Sequence, residues 1–128
     1  MIATKILRGM LSSDIGKSYE ARAESWLVSN GLETIARNYR CRLGEIDLIM
    51  RDAEILVFVE VRFRSNDSFG GPFESITARK QKRIILAANH FLSSHSEFHA
   101  YACRFDAMGI TSVDARNRYD WIRNAFSA

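Results

Sequence analysis

Three carboxylates and one basic side chain lie in two neighbouring apolar segments of the sequence. Glu45 and Asp47 are two residues apart in the first segment, and Glu60 and Arg62 are two residues apart in the second. Because side chains alternate between the faces of a β-strand, the members of each pair share a face. Hard divalent cations prefer such oxygen ligands, and a cation such as Arg62 stabilises phosphate or developing negative charge. This is the arrangement that a metal-dependent nuclease requires.

The short connection between the two segments predicts an antiparallel hairpin. If Asp52-Ala53 forms the centre of the turn, Glu45 lies opposite Glu60, and Asp47 lies diagonal to Glu60 on the same face. Like charges that face each other destabilise a sheet, so we expect a cation between them. Neither segment contains His or Cys, which favours Mg²⁺ or Mn²⁺ over zinc.

The same pattern also fits the solvated face of an ordinary amphipathic hairpin, held by cross-strand ion pairs. In the first segment, Ile46, Leu48 and Met50 are predicted to point to an apolar face, opposite the face that carries Glu45 and Asp47. The segment 55–61 is almost continuously apolar, however, which predicts that it is covered on both faces. A glutamate buried in such a strand, here Glu60, is rarely accidental, and this favours a functional site.

Length and composition indicate a small globular domain rather than a disordered or fibrous chain. With 128 residues, 47% hydrophobic and 26% charged, we expect a flexible arm at 1–12 and a single domain at 13–128. No apolar stretch reaches the length of a membrane span and no signal-peptide core is evident, so a cytoplasmic location is predicted. Cys41 and Cys103 are interpreted as ordinary thiols.

The balance of charge points to a polyanionic partner. The net charge is +3 and the pI is about 9.1. Basic residues follow the second segment and crowd the start of a predicted helix, which suits nucleic acid but also fits a plain solvated helix face. The candidate phosphate contacts are Arg62, Arg64, Arg79, Lys80 and Arg83.

Hydrophobic periodicity and turn residues predict the order α-β-β-β-α-β, a mixed sheet flanked by helices. A loop rich in glycine follows the third strand, at 64–73, where it could touch a substrate. The C-terminal segment 119–126 is predicted to be a strand or a short helix. The remaining elements are helices at 13–30 and 75–93 and strands at 33–40, 44–51, 54–63 and 99–110.

Several separate motifs, in this order, carry a resemblance to a known family. The chain closely resembles the bacterial YraN family over about residues 14–112. That family's fold is similar to that of restriction endonucleases and archaeal Holliday junction resolvases. The motifs are Gly16 with Glu20 and Ala23, Arg37-Asn38-Tyr39-Arg40, Gly44-Glu45-Ile46-Asp47-Leu48-Ile49, Val57-Phe58-Val59-Glu60-Val61-Arg62, Phe69-Gly70, Lys80, and Arg104-Phe105-Asp106.

The resemblance implies a restriction endonuclease-like fold and a site related to the PD-(D/E)xK signature. Asp47 and Glu60 are then metal ligands, the carbonyl of Val61 is a further ligand, and Glu20 is a helical carboxylate of the site. The signature's lysine is Arg62 here, and an arginine does not lose its proton, so Arg62 clamps phosphate and does not act as a base.

Three functions follow. The first is a Mg²⁺- or Mn²⁺-dependent endonuclease acting on DNA, including branched or flapped DNA, in which Glu45 or Glu20 orients the water or Lys80 supplies an ammonium. The second is a nucleic-acid-binding module with weak or no catalysis. The third is an assembly partner that docks on another protein through a sheet edge or the Trp121/Phe126 tail. A homodimer is predicted by analogy alone.

Overall fold

A five-stranded mixed sheet with a helix on each face forms the part of the chain that the structure describes. The structure is a computed structural model that describes residues 2–64 and 76–128, with side chains from residue 16 onward. The predicted α/β class is confirmed, and the architecture is consistent with a restriction endonuclease-like fold. The elements are α1 (Ile2–Ser29), β1 (Glu33–Cys41), β2 (Gly44–Asp52), β3 (Ile55–Arg64), α2 (Ala78–Ser94), a 3-10 turn (Ser96–Phe98), β4 (Ala102–Val113) and β5 (Arg116–Phe126).

The strands lie in the sheet in the order in which they occur in the chain. β1, β2 and β3 form an antiparallel meander, α2 returns the chain so that β4 runs parallel to β3, and β5 pairs antiparallel with β4. Asp114 and Ala115, which join the last two strands, both have positive φ angles, of 50° and 62°. Such a two-residue turn matches the twist of the strands that it joins. The C-terminal segment, for which strand and helix were both open, is therefore a strand.

Local signals explain where the helices end. The predicted stop of α1 at Asn30-Gly31 is confirmed: Gly31 has a φ of 101°, and its N–H donates to the carbonyl of Val28. α1 begins at Ile2 rather than at the predicted residue 13, so the backbone of 2–12 is helical. α2 begins after Thr77, whose hydroxyl accepts a hydrogen bond from the N–H of Lys80.

Each helix buries its apolar stripe against one face of the sheet. α2 packs Ile84, Ala87, Ala88 and Phe91 against a cluster that includes Phe58. α1 packs Ala23 and Leu27 against the other face, on Leu48, Met50, Val57 and Val59. β3 is thus covered on both faces, as its apolar sequence predicted. None of the helices in the described ranges is long and apolar enough to span a membrane.

α2 approaches the start of β2 very closely. A Cβ built on Gly44 would stand 2.3 Å from the carbonyl oxygen of Arg83, which belongs to the backbone of α2. Glycine at this position therefore allows the helix to lie directly on the strand. As a result, the basic first turns of α2 lie beside the strand that carries Glu45 and Asp47.

A buried carboxylate fastens β5 to the sheet. Asp106 of β4 is fully buried and accepts hydrogen bonds from the Nε and Nη2 of Arg104, the indole N–H of Trp121 and the backbone N–H of Asn124. Phe126 stacks on Phe105, with ring centroids 5.1 Å apart. The Trp121/Phe126 tail thus packs on its own chain, which gives no support to the prediction that it docks on a partner.

Candidate metal and nucleic-acid site

The two motif strands bring Asp47 close to Glu60, near enough for the two carboxylates to interact electrostatically. Asp52 pairs with Ile55, and Leu48 pairs with Val59. The predicted register was therefore wrong by two residues, because the turn is centred on Ala53-Glu54 rather than on Asp52-Ala53. Continued by one residue, the observed register sets Asp47, not Glu45, across from Glu60.

β2 is irregular at Asp47 itself. Ile46 packs in the cluster under α2, whereas Leu48 and Met50 pack in the cluster under α1. The prediction that all three point the same way was wrong for Ile46, since regular alternation would place Ile46 and Leu48 on one face. On β1, the residue opposite Asp47 is Asn38, which has a positive φ of 50°. Because of this local distortion, the side chains on either side of Asp47 point to opposite faces of the sheet.

The Asp47 carboxyl is held among other carboxylates. Its Oδ2 accepts a hydrogen bond of 2.8 Å from the backbone N–H of Val61, the residue after Glu60. The pKa of Asp47 is raised from 3.8 to about 7, first by burial and then by the negative charges of Glu60 and Glu20, against the opposing effects of the Val61 N–H and Lys80. A cation bound here would relieve the repulsion that helps raise this pKa.

Glu20 of α1 belongs to the same electrostatic group. Burial is the main cause that raises the pKa of Glu20, a hydrogen bond from Asn38 lowers it, and the charges of Glu45 and Glu60 raise it. Glu20 thus interacts electrostatically with two of the strand carboxylates, Glu45 and Glu60. Asn38 was missed as a site residue; its only sequence signal is an asparagine inside a strand, a residue type that tolerates positive φ.

Two cations contact Glu60, whose side chain is only 5% exposed. The Nζ of Lys80 lies 2.9 Å from its Oε1, and the Nη1 of Arg62 lies 3.6 Å from the same oxygen. Arg62 stands at the position of the signature's lysine, and Lys80 reaches the site from α2. An ammonium therefore lies beside the carboxylate pair although the motif position holds a guanidinium.

Glu45 faces the basic start of α2 rather than the carboxylate pair alone. It forms an exposed ion pair with Arg40, with 3.3 Å between Oε2 and Nε. It also lines a cavity of about 180 Å³ together with Thr77, Arg79, Lys80, Arg83 and Ile84. Three of the predicted phosphate contacts, Arg79, Lys80 and Arg83, thus line one cavity. This cavity adjoins Glu60, because Lys80 contacts both. Arg64 is partly buried at the end of β3, and the predicted loop at 64–73 lies outside the described residues from 65 onward.

The carboxylates Asp47 and Glu60 suit a hard cation, although they do not surround it alone. Within residues 16–64 and 76–128, no group of three or more His, Cys, Asp or Glu side chains is close enough to enclose a metal ion. Mg²⁺ and similar ions retain several waters and commonly bind through one or two carboxylates. Asp47 and Glu60, with no thiolate or imidazole beside them in the motif strands, fit that mode of binding.

Comparison with known sequences identifies relatives along most of the chain. The sequence profile of the Uncharacterised protein family UPF0102, which is the YraN family, matches residues 19–110. A UPF0102 protein of Alcanivorax borkumensis is 49% identical over 113 residues, which are 87% of this chain and 90% of the relative. UPF0102 proteins of Methylobacillus flagellatus and Aeromonas hydrophila are 50% and 51% identical, over 89% and 87% of this chain and 97% and 83% of the relatives.

Proposed function

The chain belongs to the Uncharacterised protein family UPF0102, and from the site of this member we propose a Mg²⁺- or Mn²⁺-dependent endonuclease that acts on DNA. The observation that carries the proposal is the pair of carboxylates on β2 and β3. Asp47 and Glu60 repel each other electrostatically, and the Lys80 ammonium lies 2.9 Å from Glu60. Paired carboxylates beside a fixed cation are suited to metal-assisted cleavage of phosphodiesters.

Each residue of the site would have a separate role in such a reaction. Asp47 and Glu60, with the carbonyl of Val61, would hold the ion, which when bound polarises the scissile phosphate and lowers the pKa of the attacking water. Glu20 is partly buried and close to the pair, so it would orient that water better than Glu45, which is exposed and paired with Arg40. Lys80 and Arg62 would neutralise charge that develops on the phosphate.

Metal-dependent cleavage of labelled DNA tests this proposal. We expect linear, flapped or four-way-junction DNA to be cut in Mn²⁺ or Mg²⁺ and not in EDTA. A folded Glu60→Gln variant should lose on the order of 100-fold or more in rate, because the ion loses one of its two carboxylates. A parent protein that cuts none of the three DNAs in either metal would refute the endonuclease.

Lys80 provides a second, more specific prediction. If its ammonium neutralises charge on the phosphate, Lys80→Met should slow cleavage by about 10–100-fold, and Lys80→Arg should retain part of the rate. Lys82 is exposed on the same helix, so Lys82→Met is the matched control and should change the rate by less than about twofold. Equal rates for Lys80→Met and Lys82→Met, measured by single-turnover kinetics, would show that Lys80 has no such role.

A binding module that does not cut DNA is the second candidate. The substitution of Arg62 for the motif lysine and the cluster of Arg79, Lys80 and Arg83 around one cavity favour it. Binding through phosphates weakens steeply with salt, because each contact releases counterions. Salt-sensitive binding that needs no metal, without cleavage in Mn²⁺ or Mg²⁺, would support this candidate over the endonuclease.

A further inference from the structure

A second groove lies between α1 and β5, on the α1 face of the sheet. Its volume is about 470 Å³, within the range of small-molecule sites. Two aromatic side chains, Trp26 and Tyr119, form part of its wall. The other lining residues are Ser18, Ala21, Arg22 and Ser25, which are small apart from the one arginine.

The aromatic rings of this groove are arranged in parallel. Trp26 and Tyr119 have ring centroids 5.8 Å apart and an interplanar angle of 10°, and both side chains are only partly buried. Trp121 meets Trp26 edge-on, and the guanidinium of Arg123 lies 3.7 Å from the centroid of the Trp121 ring. Trp26 and Tyr119 stack on each other, so a nucleobase would add to the outer side of this pair, as bases do on partly exposed aromatic side chains beside arginines.

The charge around the groove favours a polyanion over a second protein chain. Arg22 and Arg123 are both exposed, and they lie at the groove and at the end of its aromatic row. Of the α1 carboxylates whose side chains the structure describes, Glu20 and Glu24 line a different cavity between α1 and β1, together with Asn38. Among the described residues that line the groove, none is acidic.

The groove and the Glu60 side chain lie on opposite faces of the sheet. Tyr119 pairs with Ile110, and Ile110 pairs with Phe63, which packs in the cluster under α1. Glu60 alternates with the α1-facing residues of β3 and contacts Lys80 of α2. The groove is therefore a site separate from the carboxylates.

We propose that the groove between α1 and β5 binds an unpaired nucleobase of a nucleic-acid strand, by stacking on Trp26 and Tyr119 with Arg22 at the adjoining phosphate. That the bound strand is part of a DNA substrate rests on the proposed function, whereas the binding itself does not. A substrate with a single-stranded segment, such as a flap, would then be preferred over uninterrupted duplex.

Binding of single strands in EDTA tests the groove separately from cleavage. Fluorescence anisotropy would compare a labelled oligothymidylate with an abasic oligonucleotide of the same length and charge. We expect the oligothymidylate to bind about tenfold more tightly, because only it has bases to stack. Equal affinities would overturn the proposal, since they would leave electrostatic attraction alone.

Two exposed positions of α1 provide a test without loss of the core. Ser25→Glu fills the groove with a like charge and should remove the preference for oligothymidylate, whereas Val28→Glu adds the same charge on α1 outside the groove lining and should preserve it. Identical behaviour of the two variants would overturn the proposal. So would a dimer, seen by sedimentation, that Ser25→Glu alone dissociates, because the occupant would then be a second copy. Base-dependent binding without any DNA cleavage would refute the endonuclease and leave the groove standing.

Discussion

Asp47→Asn should abolish metal-dependent cleavage and at the same time make the protein more stable at pH 8. The loss of rate should be on the order of 100-fold or more, because the amide is a poor ligand for a hard cation. The gain in the free energy of unfolding should be about 1–3 kcal/mol at pH 8. Cleavage assays and chemical denaturation at several pH values would measure the two effects.

The sign of the stability effect follows from the raised pKa of Asp47. The pKa is 3.8 for an unperturbed aspartate and about 7 in the folded protein, so the folded state binds the proton more tightly. Between these values the folded state binds more protons than the unfolded state, and stability therefore falls as the pH rises through this window. Asparagine does not titrate, and it can still accept the hydrogen bond from the Val61 N–H. The advantage of Asp47→Asn should thus vanish near pH 4.

A control and a metal titration make the prediction specific. Glu54→Gln removes an exposed carboxylate at the β2–β3 turn and should change stability by less than about 0.5 kcal/mol at every pH. Mn²⁺ should raise the melting temperature of the parent chain and not that of Asp47→Asn, because a ligand stabilises only a state that binds it. A variant that is less stable than the parent at pH 8 would show that Asp47 is not held under electrostatic strain.

Asp106→Ala should cause the largest loss of stability. Removal of one partner from a buried, hydrogen-bonded charge pair costs about 3–5 kcal/mol. Here the Arg104 guanidinium, with a side chain 10% exposed, would keep only Asp52, and the donors on Trp121 and Asn124 would lose their acceptor. Calorimetry should show a melting temperature lower by about 10–20 °C.

An exposed ion pair on the neighbouring strand, β5, supplies the comparison. Asp120 lies 3.2 Å from Arg118, and the two side chains are 41% and 54% exposed, so solvent screens their attraction. Asp120→Ala should therefore cost less than about 1 kcal/mol. A similarly small cost for Asp106→Ala would mean that β5 is held by its strand pairing and by Phe126 alone.

Local pattern was sufficient for most of the elements. The continuous apolar run of β3 and the stop at Gly31 depend on neighbours in the chain, which is why they could be predicted correctly. The alternation of β2 was predicted wrongly for Ile46, because the strand is irregular at Asp47. The two-residue error in register came from the turn. Ala53 adopts a positive φ of 54°, and the sequence Asp52-Ala53-Glu54 contains no glycine or asparagine that would predict it.

The sequence by itself determined the family, the α/β order, and the carboxylates Glu20, Asp47 and Glu60 as the candidate site, because these depend on residue type and short-range spacing. Only the tertiary structure decided that Asp47 lies beside Glu60, that Asn38 forms a hydrogen bond with Glu20, and that Lys80 reaches Glu60 from α2. Each of these contacts joins segments far apart in the chain, and their meeting depends on turn geometry, a strand distortion and the close packing of α2 on Gly44. No spacing within a segment encodes such contacts, since they arise from how the elements pack on one another.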